Sequence, residues 1–277
     1  MSIAYYNGEF MPVDQVKIPL TDRAVFFGDG IYEALLAKDG ALHFEDLHIK
    51  RFFDNKKLLG INFDMNEDEL SALLREGVKL SGEKCAFVYF QLTKYARKRI
   101  HACPKSENYN FLMTVTEQPL PSPKKRMRLV TYPDLRYGYC NIKTLNLLPS
   151  VIASEFAERQ GADEAVFCRG NIVTECAHSN LFAVKDGIVY THPKCEKILP
   201  GITREALLCE CRKLKIPRRE EPFTKDFMYS ADALLVTSST KICSLAESID
   251  NYPFSKGSET AELICENLHN NFTKYCR

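Results

Sequence analysis

The chain has 277 residues, and its 37 lysine and arginine residues nearly balance 36 aspartate and glutamate residues, which leaves a formal net charge of +1. This balance excludes a protein that binds nucleic acid or an anionic membrane surface through bulk positive charge. Apolar residues make up 45% of the chain, as in ordinary soluble proteins, and the length suffices for two domains.

The cysteine content and the first residues indicate the compartment. The eleven cysteines are odd in number and form no CxxC pair, so the sequence predicts reduced and mostly packed thiols rather than a disulfide framework. The opening residues MSIAYYNGEF contain neither a basic region nor a long apolar run, and no apolar run elsewhere has membrane-spanning length. We therefore expect a soluble, cytoplasmic protein.

Local signals predict both strands and helices in the first part of the chain. Asn7-Gly8 is typical of a tight hairpin turn, Gly60 is the residue type that follows the end of a helix, and Asn66 is a preferred N-cap. The predicted strands are Ile3–Tyr6, Glu9–Val13, Ile31–Ala37, Cys85–Thr93 and Tyr109–Thr116, and the predicted helices are Glu45–Leu59 and one from Asn66 towards Lys79.

Three alternating prolines in the segment QPLPSP predict a linker at 118–123, between a small domain, 1–117, and a larger one, 124–277. Strands outnumber helices without strict alternation, so the sequence predicts an α+β, or mixed α/β, fold rather than a doubly wound sheet. In the larger domain the predicted strands are Met127–Tyr132, Glu164–Cys168, Ile172–Glu175, Leu181–Val184, Ile188–Thr191 and Ala233–Thr237, and the predicted helices are Ser150–Gln160, Gly201–Leu214 and Thr260–Tyr275.

Lys143 is the first candidate for chemistry. It lies between Ile142 and a cluster of leucines at positions 145, 147 and 148, a context that predicts a buried side chain. Removal of an ammonium group from water favours the neutral amine, which is the nucleophilic form. The ordinary alternative is a surface lysine at the end of a strand.

Further features are suited to binding an anion such as a phosphate. Gly201-Ile202-Thr203 places a glycine and a hydroxyl residue at the start of a predicted helix, where backbone N–H groups are unpaired. The hydroxyl run Thr237–Thr240 follows a buried strand, and Arg51 offers a guanidinium fork on a predicted helix. Each feature alone also has a structural explanation: a plain helix start, a polar turn and a solvated arginine.

Glu175 ends the predicted strand that begins at Ile172. A carboxylate at that place can pair with a protonated ring nitrogen and so make a heterocyclic cofactor a better electron acceptor. Its ordinary alternative is a surface acid.

Together these positions resemble the class IV family of pyridoxal-phosphate enzymes, which comprises D-amino-acid aminotransferases, branched-chain aminotransferases and aminodeoxychorismate lyases. The resemblance extends from the Asn7-Gly8 hairpin to about Glu247 and is greatest to the D-amino-acid enzymes. The stretches that carry it are Phe27–Glu33, His48–Arg51, Asp134–Arg136, Ile142–Asn146, Val173–Glu175, Ser179–Phe182 and Gly201–Arg204.

The resemblance implies a two-domain fold of fold type IV with pyridoxal 5'-phosphate between the domains, and a homodimer with active sites shared across the interface. It also implies roles for individual residues. Lys143 would bind the cofactor covalently and, once displaced by substrate, transfer the proton of the reaction. Glu175 would pair with the pyridine nitrogen. The phosphate would be bound by Arg51, Ile202, Thr203, Ser239 and Thr240, and Leu199 would pack on the ring.

The basic run Arg97–His101 bears on the handedness of the substrate. Arg99 and His101 are two residues apart, so in an extended segment their side chains leave the same face, and this pair of donors suits a carboxylate. The spacing matches the pair that D-amino-acid aminotransferases place over the neighbouring subunit's cofactor, with Tyr32 completing the site. The alternative is a basic loop that faces water.

We therefore expect a transaminase that moves the amino group of a D-amino acid, such as D-alanine or D-glutamate, to a 2-oxo acid such as 2-oxoglutarate by a ping-pong mechanism. A branched-chain L-amino-acid aminotransferase and an aminodeoxychorismate lyase on the same scaffold remain alternatives, as does a non-catalytic protein with a structural lysine. The chain departs from the family pattern at His178, at Lys241 and at Lys94-Tyr95, and these departures concern the pocket for the substrate side chain.

Overall fold

The computed structural model of the protein describes residues 2–95, 98–103, 108–254 and 257–271. The chain divides into two units, one formed by Met1–Leu120 with Ile142–Asn146 and the other by Pro121–Asn141 with Leu147–Arg277. Each unit combines a sheet with helices, so the predicted mixed α/β class is confirmed. The segment around Lys143 belongs to the first unit, although the residues on both sides of it belong to the second.

The first unit contains an antiparallel sheet. In its described residues the strands are β1 (Ile3–Tyr6), β2 (Glu9–Pro12), β3 (Gly30–Lys38), β4 (Ala41–Leu42), β5 (Cys85–Lys94) and β6 (Tyr109–Glu117), and the helices are α1 (Arg23–Phe27), α2 (Glu45–Leu59) and α3 (Glu67–Ser81). The strands are hydrogen-bonded in the order β2-β1-β6-β5-β3-β4. Strand β3 therefore pairs with β5 over its whole length, close to one edge of the sheet.

Local chemistry fixes the ends of the two long helices where the sequence predicted them. The Asn66 side chain accepts a hydrogen bond from the backbone N–H of Glu69, and the Glu69 carboxylate accepts one from the backbone N–H of Asn66, which forms a capping box. Gly60 follows α2 with a φ of 61°, a left-handed conformation that glycine adopts without steric cost.

Aromatic rings form the centre of the first unit's core. Phe52 on α2 lies 5.1 Å from Phe90 of β5 between ring centroids, and Phe63 lies 5.2 Å from Phe111 of β6. Aromatic pairs at this separation add to the stabilisation that burial of their apolar surface provides. This packing holds α2 against the sheet, where it contacts β3.

The second unit contains a larger, mixed sheet. In the described part of this unit the strands are β7 (Arg126–Pro133), β8 (Glu164–Arg169), β9 (Ile172–Cys176), β10 (Asn180–Lys185), β11 (Ile188–Thr191), β12 (Arg218–Glu220), β13 (Phe223–Thr224), β14 (Ala233–Ser238), β15 (Ile242–Ile249) and β16 (Tyr252–Pro253), and the helices are α4 (Leu148–Arg159), α5 (Ile202–Lys213), α6 (Lys225–Tyr229) and α7 (Glu259–Asn270). The strand order is β12-β11-β10-β14-β15-β7-β8-β9-β13, and β16 pairs with β15.

The central strands of this sheet are buried on both faces. All side chains from Asn180 to Val184 in β10 and from Ala233 to Thr237 in β14 are buried. Such strands have continuous apolar runs instead of an alternating pattern. Helix α5 packs on β14, and α7 packs on β14 and β15. The candidate residues of this unit lie near the end of β9, in the loop before α5, in the first turn of α5 and in the turn after β14.

Most predicted elements agree with the structure to within two residues at each end, but several elements were not predicted. Strand β15 escaped prediction because Ser244 and Glu247 interrupt its apolar run. Helix α1 has five residues, which is too short for a periodic signal. The predicted closing helix Thr260–Tyr275 is observed as α7, and residues 272–277 lie outside the described part.

Two further observations on the described residues concern their cysteines and their helices. Nine of the cysteines have free thiols, whereas Cys209 is disulfide-bonded, so the prediction of reduced thiols does not hold at Cys209. Among the helices of the described ranges, none combines the length and the apolar character that crossing a bilayer requires.

Candidate active site

The Lys143 segment forms hydrogen bonds with the beginning of β3. The backbone N–H of Tyr32 donates to the carbonyl of Lys143 at 3.0 Å, and the N–H of Leu145 donates to the carbonyl of Gly30 at 3.1 Å. Gly30 permits this approach, because a Cβ at that position would lie 2.8 Å from the Leu145 side chain. The backbone around Lys143 is therefore fixed to a strand of the first unit.

The Lys143 side chain is half-buried, so the prediction of a buried lysine is wrong, and its neighbours Leu147 and Leu148 are exposed. The ammonium group lies 4.1 Å from the centroid of the Tyr32 ring. Attraction between a cation and the face of an aromatic ring compensates for part of the lost hydration. The structure thus holds an amine close to an aromatic face without removing it fully from water.

Glu33, the next residue of β3, is buried and binds two residues of α2. Arg51 donates from Nε and Nη2 to the two carboxylate oxygens at 2.7 and 2.9 Å, and Nδ1 of His48 lies 2.7 Å from Oε2. Burial alone would raise the pKa of Glu33, but Arg51 and His48 outweigh it and lower the pKa to about 2. The ionised carboxylate therefore sets the direction of the Arg51 guanidinium, whose role at a phosphate stays a prediction.

Arg99 and His101 lie on the exposed segment 98–103 of the first unit. The guanidinium carbon of Arg99 is 5.0 Å from the centroid of the Phe27 ring, and the His101 ring centroid is 5.2 Å from the same ring. The two side chains therefore share one aromatic neighbour. Arg97, from the same basic run, lies outside the described residues.

In the second unit, Glu175 is buried near the end of β9 and accepts hydrogen bonds on both carboxylate oxygens. Nη1 of Arg136 donates at 2.5 Å, Nδ2 of Asn180 donates at 2.9 Å, and the backbone N–H of Leu199 lies 3.1 Å from each oxygen. Asp134 in turn holds Nε of Arg136 at 2.9 Å. This network gives the Glu175 carboxylate a fixed orientation.

Burial raises the pKa of Glu175 to about 7, although Arg136 and the Leu199 N–H act in the opposite direction. A carboxyl group with this pKa exchanges its proton near neutrality, and perturbed groups of this kind concentrate at functional sites. Glu33, an equally buried glutamate, has a pKa of about 2 because Arg51 and His48 together outweigh the effect of burial. The charge on Glu175 is therefore only partly compensated within the chain.

The beginning of α5 offers donors for an anion. Gly201 is the N-cap, Ile202 and Thr203 are the first helical residues, and no side chain among the described residues caps this end. The buried hydroxyls of Thr203 and of Thr237, at the end of β14, have no hydrogen-bond partner within the described part of the chain. Buried polar atoms normally have partners, so these atoms fit a bound phosphate, the type of anion that helix N-termini accept.

His178 and Lys241, two residues at which the chain departs from the family pattern, both contact another buried glutamate. Glu164, at the start of β8, lies 3.2 Å from Nζ of Lys241 and accepts a hydrogen bond from Ser179 Oγ at 3.0 Å. The backbone N–H of His178 donates to Glu164 at 3.0 Å, and Nδ1 of His178 lies 3.2 Å from Lys241 Nζ. Burial would raise the pKa of Glu164, but His178 and Lys241 lower it. Lys241 therefore neutralises a buried carboxylate.

The structure brings several predicted site residues together within each unit. Tyr32 contacts Lys143 in the first unit, and Glu175 is hydrogen-bonded to Leu199 in the second. Ser239 and Thr240 lie in the turn after β14, where Thr240 Oγ1 is 3.3 Å from Ser238 Oγ.

The sequence analysis did not assign the residues that hold these side chains in place. For Glu33 and Glu164 the signal is a charged residue in an otherwise apolar strand, because such a charge requires a partner. The unassigned residues are Glu33, Arg136, Glu164 and Asn180.

A comparison with family models decides the family. The model described as "Amino-transferase class IV" matches residues 30–249, a range that contains both Lys143 and Glu175. The chain belongs to the class IV aminotransferases.

Curated relatives cover nearly the whole of this class IV aminotransferase. A D-alanine aminotransferase of Staphylococcus epidermidis is 35% identical over 99% of this chain and 98% of its own, and one of Staphylococcus aureus is 34% identical over the same shares. Among solved structures, a branched-chain amino acid aminotransferase of Escherichia coli matches with a TM-score of 0.90 at 20% identity and covers 98% of this chain and 94% of its own. At that identity the match shows the fold alone, which is fold type IV.

The variant Gly201→Ala tests how tightly the Glu175 network is packed. An added Cβ would collide with Oδ1 of Asn180, and Asn180 is held at 2.9 Å by both Glu175 and the Leu199 carbonyl. Since Asn180 would have to move, we expect the variant to lose about 1–3 kcal/mol of unfolding free energy, as measured by urea denaturation. Gly138→Ala is the control, because a Cβ there would meet nothing closer than 3.8 Å. Wild-type stability of Gly201→Ala would contradict this account.

The variant Lys241→Met tests the pairing with Glu164, whose side chain is fully buried. Loss of the cation leaves a buried carboxylate with less compensation, so we expect the unfolding free energy at neutral pH to fall by on the order of 3 kcal/mol. Folding lowers the pKa of Glu164, so its ionised form stabilises wild type above the pKa of the unfolded chain. The difference between variant and wild type should therefore shrink as the pH falls below about 4.

Two further variants complete the Lys241 experiment. Lys125→Met removes an exposed lysine that lies 3.8 Å from Asp163 in the same unit, and we expect a change of about 1 kcal/mol or less. The double variant Glu164→Gln/Lys241→Met removes both charges and should recover part of the lost stability. A pH-independent loss in Lys241→Met would show that the pair does not act through its charge.

Proposed function

We propose that this class IV aminotransferase is a D-amino-acid transaminase. It moves the amino group of a D-amino acid, such as D-alanine or D-glutamate, to a 2-oxo acid such as 2-oxoglutarate in a ping-pong reaction. The observation that carries the proposal is the similarity to D-alanine aminotransferases over 99% of the chain at 34–35% identity. The branched-chain enzyme shares the fold at 20% identity, a level that does not extend to the substrate.

The cofactor that we propose is pyridoxal 5'-phosphate. The Thr203 and Thr237 hydroxyls, which lack partners among the described residues, suit its phosphate, and Glu175 suits its ring nitrogen. When bound, the cofactor supplies an electrophilic carbon and a ring that accepts electron density. The residues proposed to hold it are Lys143, Arg51, Glu175, Leu199, Ile202, Thr203, Ser239 and Thr240.

Lys143 is proposed to bind the cofactor through its amine and to carry a proton during the reaction. The hydrogen bonds to β3 fix its backbone, so only the side chain has to move between these two tasks. The Lys143 ammonium group lies 4.1 Å from the centroid of the Tyr32 ring, so this ring borders the space in which the side chain moves.

Glu175 is proposed to keep the ring nitrogen of the cofactor protonated. A carboxylate and a cation attract each other strongly where water is excluded. The pKa of about 7 reflects the cost of burying the Glu175 charge, and a cationic partner offsets that cost. Because Arg136 and Asn180 already orient the carboxylate, the interaction requires little reorganisation.

We propose a cytoplasmic homodimer whose subunits share their active sites. Large apolar side chains are exposed in each unit: the exposed fraction is 72% for Leu20 in the first, and 74% and 69% for Leu135 and Leu148 in the second. Exposed apolar surface marks interaction sites, and closed two-fold symmetry is the commonest arrangement of identical subunits. Light scattering of the purified protein tests the proposal.

The second candidate function is a branched-chain L-amino-acid aminotransferase, because the Escherichia coli enzyme of that name has the same fold. A third alternative is an aminodeoxychorismate lyase on the same scaffold, and a simple assay distinguishes it from both transaminases. A lyase forms its product without an added 2-oxo acid, whereas a transaminase stops after one turnover.

The variant Lys143→Ala is expected to fold but to lose turnover with D-alanine and 2-oxoglutarate by several orders of magnitude, because attachment and proton transfer vanish together. Circular dichroism checks the fold. Borohydride reduction of wild type followed by mass mapping should locate the cofactor on the peptide that contains Lys143. Lys185→Ala, at a half-buried lysine whose ammonium group is bonded to Ser230, is the control and should stay active. Near-normal turnover of Lys143→Ala would refute the proposed function.

The variant Arg99→Ala tests the proposed carboxylate site and the handedness of the substrate. Loss of a charged hydrogen-bond donor should cost about 1.5–3 kcal/mol in kcat/KM for D-alanine. Lys98→Ala, at the exposed residue next to it, is the control and should have little effect. If wild type reacts faster with L-leucine than with D-alanine, the branched-chain candidate is correct and the pair is only a basic loop.

A further inference from the structure

We infer that Arg23 is a positioning residue for the substrate carboxylate: it orders the segment that carries Arg99 and His101 without touching the substrate itself. The inference rests on the proposed function, since it requires that these two side chains bind a carboxylate. Arg23 lies outside residues 30–249, the range that the family model matches.

The first observation is a pair of hydrogen bonds from one side chain to two successive carbonyls. Arg23 is the first residue of α1, and only 5% of its surface is exposed. Its Nη1 donates to the carbonyl of Ile100, and its Nη2 donates to the carbonyl of His101 at 2.9 Å. A guanidinium group is planar and rigid, so these two bonds fix the orientation of the two peptide groups whose carbonyls belong to Ile100 and His101.

The second observation is the anchor at the other edge of the same guanidinium. Nε of Arg23 donates to Oδ2 of Asp29 at 2.7 Å. The carbonyl of Asp29 accepts from the backbone N–H of Lys94 at 3.2 Å, and the Lys94 ammonium lies 3.9 Å from the Asp29 carboxylate. Asp29 directly precedes β3, and Lys94 ends β5. Arg23 therefore connects the exposed segment to the ends of two paired strands.

The third observation is a ring that the three side chains share. The guanidinium carbon of Arg23 lies 4.8 Å from the Phe27 ring centroid, and that of Arg99 lies 5.0 Å from it. The His101 ring centroid is 5.2 Å from the same centroid. The Arg23 side chain thus acts on Arg99 and His101 in two ways. It binds the backbone of the segment that carries them, and it packs on the same Phe27 ring.

These contacts matter because the pair that they hold is exposed. An exposed arginine loses substantial rotamer freedom when it binds a ligand, and a mobile backbone would add to that loss. A segment that is ordered before the substrate arrives avoids part of the cost. Loss of Arg23 should therefore weaken binding of the carboxylate and leave cofactor binding and proton transfer largely intact.

The experiment compares D-alanine with D-alaninamide, in which a neutral amide replaces the carboxylate. In the loaded enzyme, Arg23→Met should raise KM for D-alanine by about 10- to 100-fold, on the scale of a lost charged hydrogen bond, with a much smaller change in kcat. The kcat/KM for D-alaninamide and the dissociation constant of the cofactor should match wild type. Arg23→Lys keeps the charge beside Asp29 but not the rigid fork, so it should fold and give an intermediate KM.

Two controls separate positioning from general damage. Arg75→Met removes another arginine of the first unit that is 2.7 Å from its carboxylate partner, Glu45, and it should leave both donors unaffected. In the double variant Arg23→Met/Arg99→Ala, the Arg23 change should add little to the effect of Arg99→Ala, because residues that act through one another are not additive.

The outcomes distinguish this inference from the proposed function. An inactive wild type with D-alanine would overturn the proposed function and with it the inference. An active wild type in which Arg99→Ala raises KM but neither Arg23 variant does would overturn the inference alone. Equal losses with D-alanine and D-alaninamide, or full additivity with Arg99→Ala, would show that Arg23 only stabilises the fold.

Discussion

The cost of withdrawing a carboxylate from water governs both units of this aminotransferase. Glu33, Glu164 and Glu175 are buried, and a buried charge without compensation would destabilise the fold by several kcal/mol. Each one is stabilised by donors from another element: Glu33 by α2, and Glu175 by the segment around Arg136. The requirement to pair these charges therefore also fixes how the helices and turns are placed on the strands.

The degree of compensation separates structural carboxylates from the candidate functional one. Arg51 and His48 lower the pKa of Glu33 to about 2, so this residue stays ionised at any physiological pH. Glu175 has Arg136 and backbone donors, yet burial raises its pKa to about 7. A group whose charge is only partly compensated by its own chain can be compensated further by a ligand, and this difference supports a role for Glu175 at a cofactor.

Features that depend on neighbouring residues could be predicted from the sequence, and features that depend on distant residues could not. The Asn66 N-cap and the Gly60 helix end involve residues at most four positions apart, and both were predicted. The pairing of β15 with β7 and the pairing of Glu164 with Lys241 bring together distant positions, and neither was predicted. Lys143 was recognised from its motif, but its half-burial depends on Tyr32, which is more than a hundred positions away.

The hydrogen bonds between the Lys143 segment and β3 have a consequence for biosynthesis. Residues 1–120 leave the ribosome first, but the beginning of β3 lacks its bonds to Lys143 and Leu145 until the chain has emerged to about residue 146. By then the part of the second unit from Pro121 to Asn141 has already emerged. The first unit is thus completed from a later stretch of the chain, and a nascent protein without that stretch would also lack the proposed reactive amine.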